Sequence, residues 1–225
     1  MEIIDIIPIG KKKERFYVVL SSGERIILHG LTLIKSKLKV GDEAGREDLE
    51  EFQFEYEKIT AFDKSIDMLS RGMKTKKQID DYLIKKGYLP KVREYVLEKL
   101  CEYRYIDDGN YADLYVKMTS KNKGKRAISY ELRQKGVDEG LIQESLGQIE
   151  SEYDACLAVA TKYLKNRKID EKTKEKLYRH LLSRGFEYEV IGSVARKTLQ
   201  NADIEEWKPF INWQFDSYMI KTRKH

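Results

Sequence analysis

The sequence predicts a mainly α-helical protein: three tandem three-helix repeats in an elongated, curved array, preceded by a small N-terminal β-hairpin/α module. Three observations predict it. A helical pattern ending in a basic residue and glycine recurs at equal spacing. Proline occurs only three times, at Pro8, Pro90 and Pro209, which leaves long stretches free of the residue that breaks helix interiors. The strand-like runs are confined to the first 60 residues.

Each repeat is justified by its phase. The pairs Lys86-Gly87, Lys135-Gly136 and Arg184-Gly185 stand 49 residues apart. Four residues before each glycine lie Leu83, Leu132 and Leu181, and eight before lie Ile79, Ile128 and Leu177. Those offsets share one helix face. The residue after glycine is Tyr88, Val137 or Phe186, and the fifth after is Val92, Leu141 or Val190. Upstream, the pairs Phe62/Ile66, Tyr111/Tyr115 and Ala160/Leu164 keep the same register. Each unit therefore reads as three short helices, with glycine as the left-handed cap of the second. Thr75 and Thr173 read as N-caps of second helices, Pro90 and Asp138 as starts of third helices. Units this small bury little surface alone and stack to share it.

Before the repeats, Ile3 to Ile9, Phe16 to Leu20 and Arg25 to Leu28 read as strands, with a turn at Ser21–Glu24, in one hairpin or a three-stranded meander. Leu31 to Leu38 and Asp48 to Ile59 read as helices. The expected divisions are 1–59 for this module, 60–108, 109–157 and 158–205 for the repeats, and 206–225 for a tail. In the tail, Trp207, Phe210, Ile211, Phe215 and Tyr218 read as a cap on the last repeat's apolar face.

Composition narrows the class. The chain is 41% hydrophobic and 36% charged, with a net charge of +5. No apolar run spans a bilayer, and the N-terminus reads as no signal peptide, so a cytoplasmic protein is expected. Cys101 and Cys156 stand far apart and read as buried thiols. There is no glycine-rich phosphate loop. His29, His180 and His225 lack ligand spacing and read as packing or solvated groups. The adjacent carboxylates Asp80-Asp81 and Asp107-Asp108 read as helix-start residues. Neither a catalytic constellation nor a cofactor or metal site is expected.

The repeat alignment exposes three cationic columns. They are Lys74/Lys123/Lys172, Lys76/Lys125/Lys174 and Lys86/Lys135/Arg184. Lysine at a helix end suits the dipole, but the two columns before the second helix oppose it. The density is highest in the middle unit, where Lys121, Lys123, Lys125, Arg126, Arg133 and Lys135 surround one acid, Glu131. A regular stripe of this kind suits a periodic acidic partner, either a polyanion or a helical protein filament. A groove-reading third helix is disfavoured, because residues 138–150 of the middle unit hold no lysine or arginine.

The run Tyr105-Ile106-Asp107-Asp108-Gly109-Asn110-Tyr111-Ala112 resembles the signature of the RecX family, an acidic pair before an aromatic-alanine pair. Lys123-Gly124-Lys125-Arg126-Ala127-Ile128 and Glu131-Leu132-Arg133-Gln134-Lys135-Gly136-Val137 follow in the family's order. Thr75–Tyr88 and Thr173–Phe186 resemble its flanking repeats. Arg15-Phe16-Tyr17, Ser22-Gly23-Glu24 and Leu38–Asp42 resemble the N-terminal extension of some members, so the resemblance covers nearly the whole chain.

It implies a cytoplasmic, non-enzymatic bacterial regulator acting in DNA repair, recombination and the SOS response. Such a protein lies in the groove of the RecA–DNA filament and inhibits ATP hydrolysis, strand exchange and coprotease activity. The family's central basic motif maps onto Lys123, Lys125, Arg126, Arg133 and Lys135. With the repeat columns added, the expected filament-binding residues are Lys74, Lys76, Lys86, Lys121, Lys123, Lys125, Arg126, Arg133 and Lys135. Glu175 departs from the pattern, standing where Lys77 and Arg126 stand in the other units. A monomer is expected, touching single- or double-stranded DNA weakly through phosphates. The alternatives are a DNA-binding helical-repeat protein acting without RecA and a helical scaffold for another protein.

Overall fold

The computed structural model describes residues 1–11 and 14–199. The tail from 206, including the expected cap, lies outside the described residues. Three strands and ten helices are formed among those described. They are β1 (Ile3–Ile9), β2 (Arg15–Leu20), β3 (Arg25–His29), α1 (Gly30–Ser36), α2 (Arg46–Leu69), α3 (Lys76–Lys86), α4 (Pro90–Glu102), α5 (Asp108–Thr119), α6 (Lys125–Gln134), α7 (Glu139–Gly147), α8 (Tyr153–Leu164), α9 (Glu171–Ser183) and α10 (Tyr188–Leu199). The chain divides into two compact units, the first Met1–Asp107 and the second starting at Asp108.

In the first unit the strands form an antiparallel meander, β1-β2-β3, the longer of the two expected forms. Residue alternation sends Val18, Leu20, Ile26 and Leu28 into a core with Ile3, Leu33 and Leu49 from β1, α1 and α2. Helix α2 then runs unbroken through the expected division at 59/60. Ala61 and Ser65 on its second half are buried in the first repeat's core. No glycine or proline interrupts residues 46–69, so one helix serves both the sheet and the repeat. Arg15 on β2 ties the two together, donating from Nη2 to the Lys86 carbonyl at 2.8 Å, at the C-terminal end of α3 where a cation is favoured. Behind it the Glu57 carboxyl is buried, and burial pushes its pKa up.

The repeat columns at minus four and minus eight are buried in every unit, with Leu83, Leu132, Leu181, Ile79, Ile128 and Leu177 at 0–1% exposure. The three capping glycines adopt φ of 80°, 79° and 81°. The column five after glycine is not uniform. Val92 is buried, but Leu141 and Val190 are half-buried, and Ile142 and Ile191 take the inward place. In the first unit that next position is Arg93, paired with Asp80. Of the upstream pairs, Ala160 is buried in the core, whereas Phe62, Ile66, Tyr111, Tyr115 and Leu164 flank it. Small residues one step away, such as Ala112 and Ser65, are buried at the helix crossings, where they let the backbones approach.

Thr75 caps α3 and forms a reciprocal box with Gln78. Thr173 does not cap α9. Asp170 does, accepting from the Thr173 N–H at 2.8 Å, so α9 begins a turn earlier than the repeat spacing implies. Asp80 and Asp81 lie inside α3, where Asp81 pairs with Lys77 at 2.7 Å, rather than at its start. Asp108 does begin α5. Cys156 is buried, whereas Cys101 is half-buried.

Helix α6 has no side-chain cap, because its N-cap is Gly124. The third repeat supplies the acceptors. The Gly124 N–H donates to the Arg184 carbonyl at 2.9 Å, the Arg126 N–H to the Gly185 carbonyl at 3.2 Å, and the Lys125 N–H to the Glu152 carboxylate. A Cβ on Gly124 would lie 2.2 Å from the Gly185 oxygen, so only glycine permits this approach. Gly124→Ala is expected to destabilise the second unit by about 2 kcal/mol through overpacking. Gly192→Ala, in α10 where an added Cβ meets nothing within 4 Å, should instead stabilise by about 0.5–1 kcal/mol. Urea unfolding of both variants measures the difference.

Candidate functional site

The nine expected site residues divide by position and by partner. Lys74 precedes α3, and Lys76 is its first residue. Lys86 is its last, with Nζ 5.5 Å above the Tyr82 ring. These three belong to the first unit. The other six cluster around α6 in the second, and the structure treats them unequally.

Lys123 is neutralised. It bonds the Glu131 carboxylate at 2.7 Å, and the Tyr115 hydroxyl donates to the same group. Burial works to raise the Glu131 pKa, but the bonds from Lys123 and Tyr115 outweigh it and hold the carboxyl below its ordinary range. Burial and the Glu131 bond push the Tyr115 phenol well above its usual value. Lys135 sits 5.4 Å above the Tyr115 ring, so the apparent basic run at the end of α6 is a mixed-charge cluster. Arg133 is forked onto Glu139, with Nε and Nη2 donating at 2.6 and 2.7 Å. The bonds from Arg133 and Gln143 hold the Glu139 carboxyl down at about 2.

Three cations remain differently placed. Lys121 and Lys125 form no ion pair among the described residues, and neither does Arg126. Lys121 is exposed, Lys125 is half-buried at the first position of α6, and Arg126 is exposed beside it. The Arg126 guanidinium lies 5.1 Å above the ring of Tyr188, contributed by the third repeat. One turn further along α6, Tyr130 is 57% exposed. The column that holds Arg126 is answered internally in the other repeats: Lys77 pairs with Asp81, and Glu175 pairs with Arg179.

Sequence reasoning missed Glu152, Tyr130 and Tyr188. Glu152 and Tyr188 carry no repeat signal, because they act across a joint between the second and third repeats rather than within one repeat. The two described histidines stack on aromatics, His29 on Tyr56 and His180 on Tyr163, which fits the packing reading. No helix among the described residues is long and apolar enough to cross a membrane.

The arrangement defines a class: a tandem three-helix-repeat protein whose middle repeat carries a cationic helix start docked on the next repeat. The first, second and third three-helix domains of RecX match residues 61–100, 107–146 and 150–194. The chain is 34% identical over 171 residues to the regulatory protein RecX of Clostridium tetani, covering 73% of this chain and 79% of that one. It is 31% identical over 189 residues to that of Bacillus subtilis, covering 81% and 72%. A crystal structure of regulatory protein RecX shares its fold, with a TM-score of 0.58 at 24% identity over 89% of this chain and 99% of that one. The RecX of Lactobacillus salivarius does so at a TM-score of 0.56 and 22% identity, over 64% of this chain and 97% of that one. This chain belongs to the RecX family of regulatory proteins.

Replacing Glu131 by Gln should release Lys123 and add a cation to the surface. The slope of log affinity for single-stranded DNA against log salt should then steepen by about 0.7, the value for one added phosphate contact. A carbon-detected NMR titration should place the Glu139 midpoint near 2. Because this folded value is depressed, the pair's contribution is present above about pH 4.3 and is lost as pH falls towards 2. Arg133→Ala should return the midpoint to the ordinary range.

Proposed function

We propose that this chain is a negative modulator of the RecA recombinase. It binds the RecA–DNA filament in its groove and inhibits ATP hydrolysis, strand exchange and coprotease activity. It acts as a cytoplasmic monomer with no catalytic site of its own. Membership of the RecX family carries this reading. The basic surface at the start of α6 supports it, because Lys121, Lys125 and Arg126 remain free of carboxylate partners among the described residues. Cations without intramolecular carboxylate partners are available to oxyanions of a polyanionic or acidic filament.

The other six residues of the basic set have weaker claims within this reading. Lys123 and Arg133 must exchange a carboxylate for the partner's oxyanion. Lys74, Lys76, Lys86 and Lys135 would add long-range attraction to the filament.

The test is RecA-dependent ATP hydrolysis on single-stranded DNA with added protein. Inhibition is expected, and the joint charge reversal Lys125→Glu/Arg126→Glu should weaken it at least about tenfold, as loss of charge-assisted contacts implies. The variant should remain folded, with a cooperative thermal transition. Retained inhibition would remove the surface from the reading. Tight binding to naked DNA with no effect on RecA would favour a DNA-binding protein that acts without RecA.

A further inference from the structure

The third repeat, with the family bounds 150–194, departs from the basic motif at Glu175, which stands where Arg126 stands in the second, yet it touches the motif at four points. The Gly124 and Arg126 N–H groups bond its Arg184 and Gly185 carbonyls. The Glu152 carboxylate, only 6% exposed, accepts the Lys125 N–H with one oxygen and the Glu187 N–H with the other at 3.2 Å. Glu187 immediately precedes Tyr188, whose ring lies beneath the Arg126 guanidinium. One buried carboxylate thus joins the residue before Arg126 to the residue before Tyr188.

This has a consequence for the guanidinium. A ring under one face of the planar cation attracts it and restricts its rotamers. The ring leaves the N–H edge open, and that edge is the part that bonds an oxyanion bidentately. In the first and third repeats the side chain in this column is turned onto a partner in its own helix, four residues on. Only the middle repeat has an aromatic from its neighbour in that place among the described residues.

We propose that the oxyanion-binding surface is a composite of the second and third repeats, in which Tyr188 and Glu152 are positioning residues that hold Arg126 ready for an oxyanion of the RecA–DNA filament. The inference rests on the reading of α6 as the filament-binding surface. It assigns the third repeat a role through an aromatic ring and a buried carboxylate rather than through cations of its own.

The experiment uses the full chain carrying Arg126→Ala, Tyr188→Leu, Tyr188→Phe, or Arg126→Ala with Tyr188→Leu. Binding is measured by anisotropy to RecA filaments on single-stranded DNA and to the naked strand. Tyr188→Leu should weaken filament binding about two- to fivefold, the fold-change of an exposed cation–aromatic contact. Tyr188→Phe, which keeps the ring, should restore it. The double variant should bind no more weakly than Arg126→Ala alone, which a purely structural loss at Tyr188 would not produce. The same loss on naked strand supports the proposal with a phosphate as the oxyanion. A loss confined to filaments supports it with a carboxylate of the protein.

Two results overturn it. If Tyr188→Leu has no effect, or adds fully to Arg126→Ala, the positioning role is wrong while the α6 surface stands. If Arg126→Ala itself changes nothing, the surface reading fails, and the proposal falls with it for that separate reason. As a second measurement, Glu152→Gln keeps one acceptor but turns an amide N–H towards a backbone donor. It should weaken filament binding in the wild-type background and not in the Arg126→Ala background.

Discussion

The first turn of α6 hands its backbone N–H groups to another repeat. Gly124 bonds the Arg184 carbonyl, Lys125 the Glu152 carboxylate, and Arg126 the Gly185 carbonyl. A helix start normally finds these acceptors in its own cap, as α3 does with Thr75 and α9 with Asp170. Leaving α6 uncapped makes its beginning depend on the presence of the third repeat, and so makes repeats two and three one structural piece. The dependence is steric as well. Gly124 and Gly185 approach so closely that a side-chain carbon on either would overlap the other's neighbourhood. Glu152 is the buried group that closes the joint, and its two oxygens are used on opposite sides of it.

The same joint explains how a run of lysines and arginines can begin a helix. Cations at a helix N-terminus face the positive end of the dipole. Here the carboxylate of Glu152 stands at that end and offsets it. The rest of the cationic run is balanced where it stands, by Glu131 against Lys123 and Glu139 against Arg133. What is left exposed is a short patch at the start of the helix rather than a stripe along it. A patch with one guanidinium on an aromatic ring is a more selective surface than a row of solvated lysines, because less rotamer freedom is lost on contact.

The N-terminal module meets the first repeat by related means. The Lys86 carbonyl, at the repeat position of Arg184, accepts the guanidinium of Arg15 from β2 instead of a backbone N–H. A strand side chain thus fills, at the first repeat, the place that the start of α6 fills at the third. The long α2 shares its length between the sheet's core and the repeat's core, which binds the module into the unit without a separate linker.

Much of this was legible in the residues. The 49-residue period, the leucine and isoleucine columns of the second helices and the left-handed glycines follow from short-range rules of periodicity and backbone sterics. So do the strands and the acidic third helix of the middle unit. The family resemblance rests on Tyr105–Ala112, Lys123–Ile128 and Glu131–Val137, with looser likeness in the flanking segments, and the three domain matches bear it out. Other features depended on partners distant in the chain. The inward turn of Ile142 and Ile191 in place of Leu141 and Val190 was set by packing against the first helix of each unit. The pairing of Lys123 with Glu131, eight residues on, needed the bend between them. The meeting of Arg126 with Tyr188 and Glu152 needed two repeats to dock. The sequence by itself therefore determined the repeats and where their cations crowd most densely, between Lys121 and Lys135. Only the tertiary structure decided which of those cations stay available, because neutralisation depends on distances of a few ångströms that residue order does not encode.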